Sequence, residues 1–328
     1  MQRSRPTLID VARAAGVSKS TASRAINGQP NVAAEVRQRV LQAVARLGYH
    51  PDSSARALAS GRVDVIDLVV VESDVTAYGT NPFYGRVTAG LLAAVDGTDV
   101  RTRIHVTPPQ SAASLLDELA GSGSLGTVLV NVPGSLAARF HRQYRRVVSL
   151  GRFAAAVPYA EADNAHGAAL AVQHLVSAGR RAIGAIGGPR WNPCAGQRRS
   201  GYLGAMAEVG LRPLWTDGDF RRQGGYVGTL RLLERCPDLD AIVAACDMTA
   251  AGALQALAAT GRRVPDDVAV VGFDDSVLAT LTTPPLTSVR QPVEEMVTLA
   301  ARELLHGRVR DGWHHTFPVS LSIRASTG

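Results

Sequence analysis

The apolar positions of this chain change period near residue 62. Before it they recur at helical spacing. Leu8, Ile9, Val11, Ala12 and Ala15 form one short apolar face, and Val36, Val40, Leu41, Val44 and Leu47 form a longer one. Thr7 with Asp10 three residues on is a short-armed capping box that starts a first helix, and Gly16 ends it. Ser18 caps a second helix from Lys19 to about Ile26, closed by Asn27-Gly28. A third helix fits Ala34 to Leu47, with Gly48 as its stop. Two short helices across a tight glycine turn, with a third packed behind them, predict a helix-turn-helix unit. The second helix of such a unit enters the major groove of DNA. Pro51 stops the third helix, and Asp52 or Ser53 predicts a cap for one or two further turns ending at Gly61. So short a helix forms only when something buries it.

After Arg62 the pattern becomes one of buried strands. Val63–Val71 alternates at first and is then continuously apolar. Further strands read at Thr127–Val132, Arg146–Leu150, Ala182–Ile186, Ala241–Cys246 and Val268–Phe273. Helical stretches lie between most of them, at Pro82–Val95, Ser111–Ala120, Asn164–Ala178, Gly196–Val209, Gly225–Arg235 and Ala250–Thr260. Strands alternating with helices predict parallel sheet. The strands are too many for one comfortable sheet, which predicts two lobes. Ligands of such sheets bind beyond the carboxyl ends of the strands. Three of those ends carry Gly187-Gly188-Pro189, Cys246-Asp247 and Phe273-Asp274-Asp275, so one convergent site is expected.

Charge separates the same two regions. Residues 1–62 hold ten basic and three acidic side chains, which is the whole net charge of +7, and the remainder is neutral. A basic head on a neutral body points to nucleic acid for the head and another partner for the body. Lys19, Ser20 and Arg24 lie near one exposed stretch of the second helix, with Thr21 and Ser23 as short donors. Lys and Arg donate to guanine O6 and N7, and Ser and Thr reach bases or phosphates. The 328 residues, 46% hydrophobic and 19% charged, fit about two domains of ordinary soluble composition. No apolar run approaches a membrane span. Arg3 and Arg5 are followed by no apolar signal region. Cys194, Cys236 and Cys246 form no paired motif and read as free thiols in a reducing cytoplasm.

Catalytic and cofactor motifs find no support. Gly121-Ser122-Gly123-Ser124-Leu125-Gly126 matches a dinucleotide fingerprint by letter but follows a helix and precedes a strand, the reverse of the required order. Lys19 follows Ser18 rather than Gly, so no Walker A loop exists, and no GxSxG elbow occurs. His314-His315 has no neighbouring Cys or carboxylate to complete a metal site. Neither a cofactor nor a metal is expected.

Four stretches carry a resemblance: Thr7-Leu8-Ile9-Asp10-Val11-Ala12, Ala15-Gly16-Val17-Ser18, Thr21 to Asn27, and Leu47-Gly48-Tyr49-His50-Pro51. They resemble the DNA-binding head of the lac/galactose repressor family, over residues 6–62. The body resembles that family's two-lobed, periplasmic-binding-protein-like (type I) α/β effector domain. Its landmarks include Asn81-Pro82-Phe83-Tyr84, Asp163-Asn164, Arg198 with Gly201-Tyr202, Val271-Gly272-Phe273-Asp274-Asp275 and Arg290-Gln291-Pro292. The resemblance implies an all-α helix-turn-helix domain at 1–50, a hinge helix at 51–62, and an effector-binding and dimerisation domain at 63–328. The N-lobe would take about 63–161 and 290–318, the C-lobe about 162–289 and 319–328. It also implies a cytoplasmic homodimer, a transcriptional repressor on a near-palindromic DNA operator, controlled by a small molecule of carbohydrate type.

DNA contacts are implied for Thr7, Ser18, Lys19, Ser20, Thr21, Ser23, Arg24, Asn27 and Tyr49. Leu58 would wedge into the minor groove, with Ala55 one turn earlier. In the body, Phe83 or Tyr84 would form an apolar wall or simply pack a helix start. Asp163 would accept from a ligand hydroxyl or cap the helix after it. Arg198 offers a five-donor fork. Phe220 and Trp191 offer aromatic platforms, and Asp247 and Asp274 lie at strand ends, Asp274 as an acceptor and Asp275 as a tie for the turn. Three departures stand out: Ala22 for the usual valine, Ala33 for a capping Ser or Thr, and Cys246 for the usual asparagine. A thiol donates and accepts weakly, so a differently hydroxylated effector is expected. A sugar carrier and a sugar-nucleotide or dehydrogenase-type enzyme are the competing classes. The head opposes the first, and the lack of a placed catalytic constellation opposes the second.

Overall fold

The computed structural model describes residues 6–26, 31–47, 49 and 64–328. Asn27, the expected hinge helix over 51–62, and with it Ala55 and Leu58, lie outside the described residues. The chain divides into two units, Met1–Val63 and Asp64–Gly328.

The first unit holds α1 (Leu8–Ala15), α2 (Lys19–Ile26) and α3 (Ala34–Leu47), at the bounds the apolar spacing predicts. The capping box forms in both directions: the Asp10 amide donates to Thr7 Oγ1 at 3.3 Å, and the Thr7 amide donates to Asp10 Oδ2 at 2.9 Å. Gly16 turns the chain at φ 65°, a left-handed conformation that costs glycine nothing. Ser18 Oγ accepts from the Thr21 amide at 3.1 Å and so caps α2. Val11, Ala12, Ala15, Ala22, Ala25, Val40 and Ala43 make the small core, with Tyr49 packed against it. Ala22 is fully enclosed by its neighbours despite its size.

The second unit contains two six-stranded sheets. The first is built from β1 (Val65–Val71), β2 (Arg101–Thr107), β3 (Gly126–Val130), β4 (Val147–Leu150) and β5 (Tyr159–Ala162). The second is built from β6 (Ile183–Ile186), β7 (Leu214–Thr216), β8 (Ala241–Ala244), β9 (Ala269–Asp274) and β10 (Thr287–Arg290). The last two strands return one to each: β11 (His314–Phe317) adds in parallel to β5, and β12 (Ser320–Ser322) pairs antiparallel with β10. The order is β11-β5-β4-β3-β1-β2 in the N-lobe and β12-β10-β9-β8-β6-β7 in the C-lobe. Every other pairing is parallel, so all main strands of a lobe point their carboxyl ends the same way. The chain therefore passes between lobes three times, after β5, after β10 and after β11.

Helices cover the sheets. In the N-lobe these include α4 (Val75–Thr80), α5 (Pro82–Val95), α6 (Ala112–Ala120) and α7 (Gly134–Gln143). The C-lobe has α8 (Asn164–Ser177), α9 (Pro193–Glu208), α10 (Arg222–Arg235), α11 (Asp247–Ala259) and α12 (Val277–Leu281), and α13 (Val293–Leu305) returns to the N-lobe core. Contact is close enough to need glycine: a Cβ on Gly252 of α11 would stand 1.9 Å from the Arg222 carbonyl, and one on Gly90 of α5 would stand 2.5 Å from that of Glu294 in α13. The glycine run Gly121–Gly126 is the helix-to-strand turn expected between α6 and β3.

Several expected boundaries move. Helix α9 starts at Pro193 rather than Gly196, because Asn192 caps it and proline suits a first helical turn. Helix α10 starts at Arg222, and α11 starts at Asp247 rather than Ala250, so β8 ends at Ala244. Strand β2 is an edge whose residues are mostly exposed or half-buried, and its polar pattern hides it in the sequence. One buried charge sits beside it. Asp67 of β1 accepts from Arg103 Nε at 2.7 Å and lies 2.9 Å from His105 Nε2, both on β2, and Ser124 in the turn before β3 bonds it as well. Burial opposes its ionised form, and these bonds outweigh burial to hold its pKa below the usual carboxylate range.

Candidate functional site

The head presents one polar face. Lys19, Ser20 and Arg24 of α2 are exposed, and Thr21 and Ser23 are half-buried beside them. Ser18 Oγ joins Ser20 Oγ at 2.9 Å and Thr21 Oγ1 at 2.8 Å, so the hydroxyls form a row along the start of α2. Arg24 Nε donates back to the Ser20 carbonyl at 3.3 Å, leaving its outer nitrogens to solvent. Thr7 is occupied by its capping role, and Tyr49 is half-buried against the head core.

In the second unit the carboxyl ends of the two sheets face each other across a cleft, and side chains join its walls. Arg221 Nη2 of the C-lobe donates to Glu72 Oε1 of the N-lobe at 2.6 Å. Asn192 Nδ2 donates to Asn131 Oδ1 at 3.3 Å, and Gln197 Nε2 to Glu161 Oε2 at 3.1 Å. Arg86 on α5 pairs with Glu294 at 2.6 Å and also donates to the Asp274 carbonyl at 2.6 Å.

Arg198 lies at the centre, only 8% exposed. Its Nε donates to Asn164 Oδ1 at 2.9 Å and its Nη1 to the Ala245 carbonyl. Its guanidinium lies 3.6 Å from the Phe273 ring centroid and 5.8 Å from that of Phe220. Asp274, 7% exposed, stands 4.0 Å away at the end of β9, at φ 113°. Burial pushes its pKa up, opposed by Arg198 and by the Gln291 amide that donates to it. Phe220 holds a left-handed φ of 62°, which turns its ring onto Gly188. A desolvated fork, a buried carboxylate and aromatic faces together suit a small polar ligand with apolar edges.

Other expected residues take different places. Asp247 is 1% exposed, and its oxygens accept from the Ser276 amide at 2.7 Å, Ser276 Oγ at 2.8 Å and Ser288 Oγ at 2.5 Å. The C-lobe's own donors occupy that carboxylate, so Asp247 frames the site instead of facing a ligand. Cys246 is the N-cap of α11, with Sγ 3.5 Å from the Thr249 amide. Burial and the nearby Asp274 push its thiol up to about 12. Asp163 caps α8, accepting from the His166 amide at 3.1 Å. Phe83 packs half-buried against the N-lobe core, and Tyr84 is within it. The Tyr84 hydroxyl donates to Glu72 Oε2 at 2.9 Å and accepts from Asn131 Nδ2 at 3.0 Å. Trp191 is 57% exposed, 6.3 Å from the ring of Phe153 in the opposite lobe. Asp275 ties its turn through Arg324 at 2.6 Å and Ser322 at 2.7 Å, as expected.

Sequence reasoning did not single out Glu72, Asn131, Arg86 or Arg221. Glu72 and Asn131 directly follow β1 and β3, so the rule applied to the C-lobe strand ends would have found both. Among the described residues no cluster of three His, Cys, Asp or Glu side chains is placed to hold a metal ion.

Two family models match the chain: bacterial regulatory proteins, lacI family, over residues 7–52, and the periplasmic binding protein-like domain over residues 172–327. The HTH-type transcriptional regulator CelR of Thermobifida fusca is 35% identical over 323 residues, covering 93% of this chain and 92% of that protein. The solved complex of the transcriptional regulator CelR with cellobiose is 33% identical at a TM-score of 0.76, covering 98% of this chain and all of that one. The lac repressor dimer bound to operator and the anti-inducer ONPF shares the fold at a TM-score of 0.81 and 24% identity, covering 98% and 99%.

Proposed function

The chain belongs to the lacI family of bacterial regulatory proteins, and we propose that it is a transcriptional repressor whose hold on operator DNA is set by a sugar bound between its two lobes. The observation that carries the effector half is the buried Arg198 fork beside Asp274, at the carboxyl ends of the C-lobe strands and roofed by the N-lobe. A sugar hydroxyl both donates and accepts, so it pairs with a guanidinium and a carboxylate at once, while ring C–H faces pack on Phe220. Cellobiose bound to the related CelR supports the class.

The DNA half rests on α2. Lys19 and Arg24 supply base or phosphate donors, and Ser18, Ser20, Thr21 and Ser23 supply short hydroxyls. Thr7, Asn27 and Tyr49 are proposed as flanking contacts. A homodimer presents two such helices to a near-palindromic operator. Residues 51–62 are proposed as the hinge, with Leu58 as the minor-groove wedge and Ala55 one turn before it. The effector acts by linkage: a sugar that favours one lobe arrangement shifts the population that grips DNA. On this reading the chain performs no catalysis and works in the cytoplasm, where the DNA is. No helix of the described residues is long and apolar enough to cross a membrane.

The test is a thermal-shift panel of mono- and disaccharides, sugar phosphates and polyols, followed by a gel shift with any hit. A ligand at ~100 times its dissociation constant adds about 2.7 kcal/mol of stability. A sugar hit that releases DNA supports repression by induction. A panel without sugar hits refutes the effector class, and unchanged operator affinity in Leu58→Ala refutes the hinge.

A further inference from the structure

We infer that the N-lobe carries a second DNA-binding surface, a patch of arginines that holds phosphates of the duplex beside the stretch gripped by α2. This rests on the reading of the head as DNA-binding, and goes beyond it by giving the effector domain phosphate contacts of its own.

The fold builds the patch. All strands of the N-lobe sheet are parallel, so their amino ends share one edge, on the side away from the cleft. Asp64 leads into β1 on that edge. Arg145 and Arg146 stand just before β4, and Arg308 and Arg310 stand in the loop before β11. The last turns of α7 and α13 reach the same edge and add Arg142 and Arg302. Side chains hold the pieces together. His141 Nε2 lies 3.2 Å from Asp311 Oδ1, Arg145 Nη1 lies 2.9 Å from Asp311 Oδ2, and Arg146 donates to the Leu304 carbonyl at 3.3 Å.

The charge of this patch is not balanced. Its acids are Glu303, which pairs with Arg308 at 3.4 Å, and Asp311, which pairs with Arg145. Arg142 makes no ion pair among the described residues, and Arg310 donates only to the carbonyls of its own turn, Gly307 and Val309. Five of the six arginines are exposed, and Arg146 is half-buried. The other acids of the edge, Asp64, Asp96 and Asp99, lie towards β1 and β2. A helix C-terminus favours a cation, which accounts for Arg142 and Arg302 but not for the arginines in loops. The matching end of the C-lobe differs: Arg263 there pairs with both Asp266 and Asp267, and Asp240 accepts from the Arg181 amide.

Residues 63–328 are neutral as a whole, so this corner segregates positive charge that the domain balances elsewhere. Duplex DNA is the polyanion it suits, with one charge per about 1.7 Å of axis, and guanidinium forks take phosphate oxygens in pairs. Continuity with the head favours DNA over an acidic protein. The segment 51–63 between head and body spans at most about 45 Å when fully extended. Strands about 4.8 Å apart put β4 and β11 about 10 and 19 Å from β1 along the edge. Duplex held by the head is therefore tethered within reach of these arginines.

The test titrates the full chain against a random-sequence duplex of about 40 base pairs, by anisotropy across a salt series. Arg142→Glu with Arg310→Glu is expected to weaken binding at least about tenfold near 0.1 M salt and to flatten the salt slope by about two per protomer. The milder pair, Arg142→Gln with Arg310→Gln, is expected to lose a smaller part of both. Arg181→Glu with Arg212→Glu makes the same change in net charge just before β6 and β7 of the C-lobe, and is expected to leave the slope as it is. A control pair that loses as much as the patch pair overturns the inference, because net charge alone then explains the loss. A patch pair that binds like the parent chain overturns it as well, and leaves the arginines to an acidic protein. A parent chain that binds no duplex overturns the reading of the head, and this inference with it.

Discussion

Replacing Arg198 by Met removes the charge of the fork and keeps most of its aliphatic volume. Asp274 then loses the cation 4.0 Å from it. Two charges at that separation attract by about 4 kcal/mol at an effective dielectric of 20. Arg198 also gives up its bonds to Asn164 and to the Ala245 carbonyl. A buried pair broken on one side costs about 3–5 kcal/mol, so Arg198→Met is expected to lose that much at neutral pH. Burial already pushes the Asp274 pKa upward, and without Arg198 it climbs further. With Arg86 and Gln291 still beside it, its folded pKa then stands above the unfolded value of about 3.9. Between those two values the folded state holds a proton that the unfolded state has released, so stability falls as pH rises, by about 1.4 kcal/mol per unit. Above the folded pKa the curve levels.

Urea unfolding from pH 5 to pH 8 measures this, followed by tryptophan emission. Trp191, Trp215 and Trp313 all belong to the second unit, so the signal reports that unit alone. Arg198→Met is expected to regain part of its lost stability at pH 5. Adding Asp274→Asn removes the stranded charge, and the pair is expected to show a coupling of about 1–3 kcal/mol. Additive single variants, or an Arg198→Met profile parallel to that of the parent chain, would refute the electrostatic account of the cleft.

Three further expectations follow from the same structure. Lys19→Ala and Arg24→Ala are each expected to weaken duplex binding and to lower the salt dependence by about one counterion; anisotropy titrations across a salt series decide it, and an unchanged slope counts against α2 as the DNA face. Asp67→Asn is expected to cost about 1.5–3 kcal/mol, the worth of hydrogen bonds to a charged group, since the amide loses the charge-assisted bond from the part-exposed Arg103. Because the Asp67 pKa is held down, its contribution is present above about pH 4 and is lost as acid passes through its folded pKa, so the parent chain is expected to lose its advantage over the variant in acid melts. Gly252→Ala drives a methyl against the Arg222 carbonyl, and is expected to cost about 1–3 kcal/mol, visible as a fall of several degrees in Tm.

The legible parts of the fold are those that local chemistry determines. Thr7 with Asp10, and Ser18 with Thr21, fix two helix starts through bonds within a few residues. Strands β1, β3, β8 and β9 are buried throughout and read as apolar runs. Strand β11 did not read as one, since His314-His315-Thr316-Phe317 carries no apolar run and pairs only with β5 at the edge. In the site, Arg198 and Asp274 come together as their positions at strand ends and on α9 suggest. Asp247 has equal standing in the sequence, yet it is buried and already accepts three bonds from Ser276 and Ser288, and only the folded chain reveals that. Arg221 carries no signal at all. It reaches Glu72 because the loop before α10 turns at Phe220, in a conformation that sequence pattern does not encode.

The interleaving of the two lobes sets an order of assembly on the ribosome. The N-lobe sheet begins at Val65, but α13, which presses on Gly90 and Gly126, ends only at Leu305. About 240 residues must be made between them, roughly 10–50 s of synthesis. For that interval the lobe begun first has one flank of its sheet bare, while β6 to β10 of the lobe begun second have already emerged. The nascent chain thus completes its sheets almost together, at the very end, and any stop codon before α13 leaves an apolar sheet face for chaperones to cover.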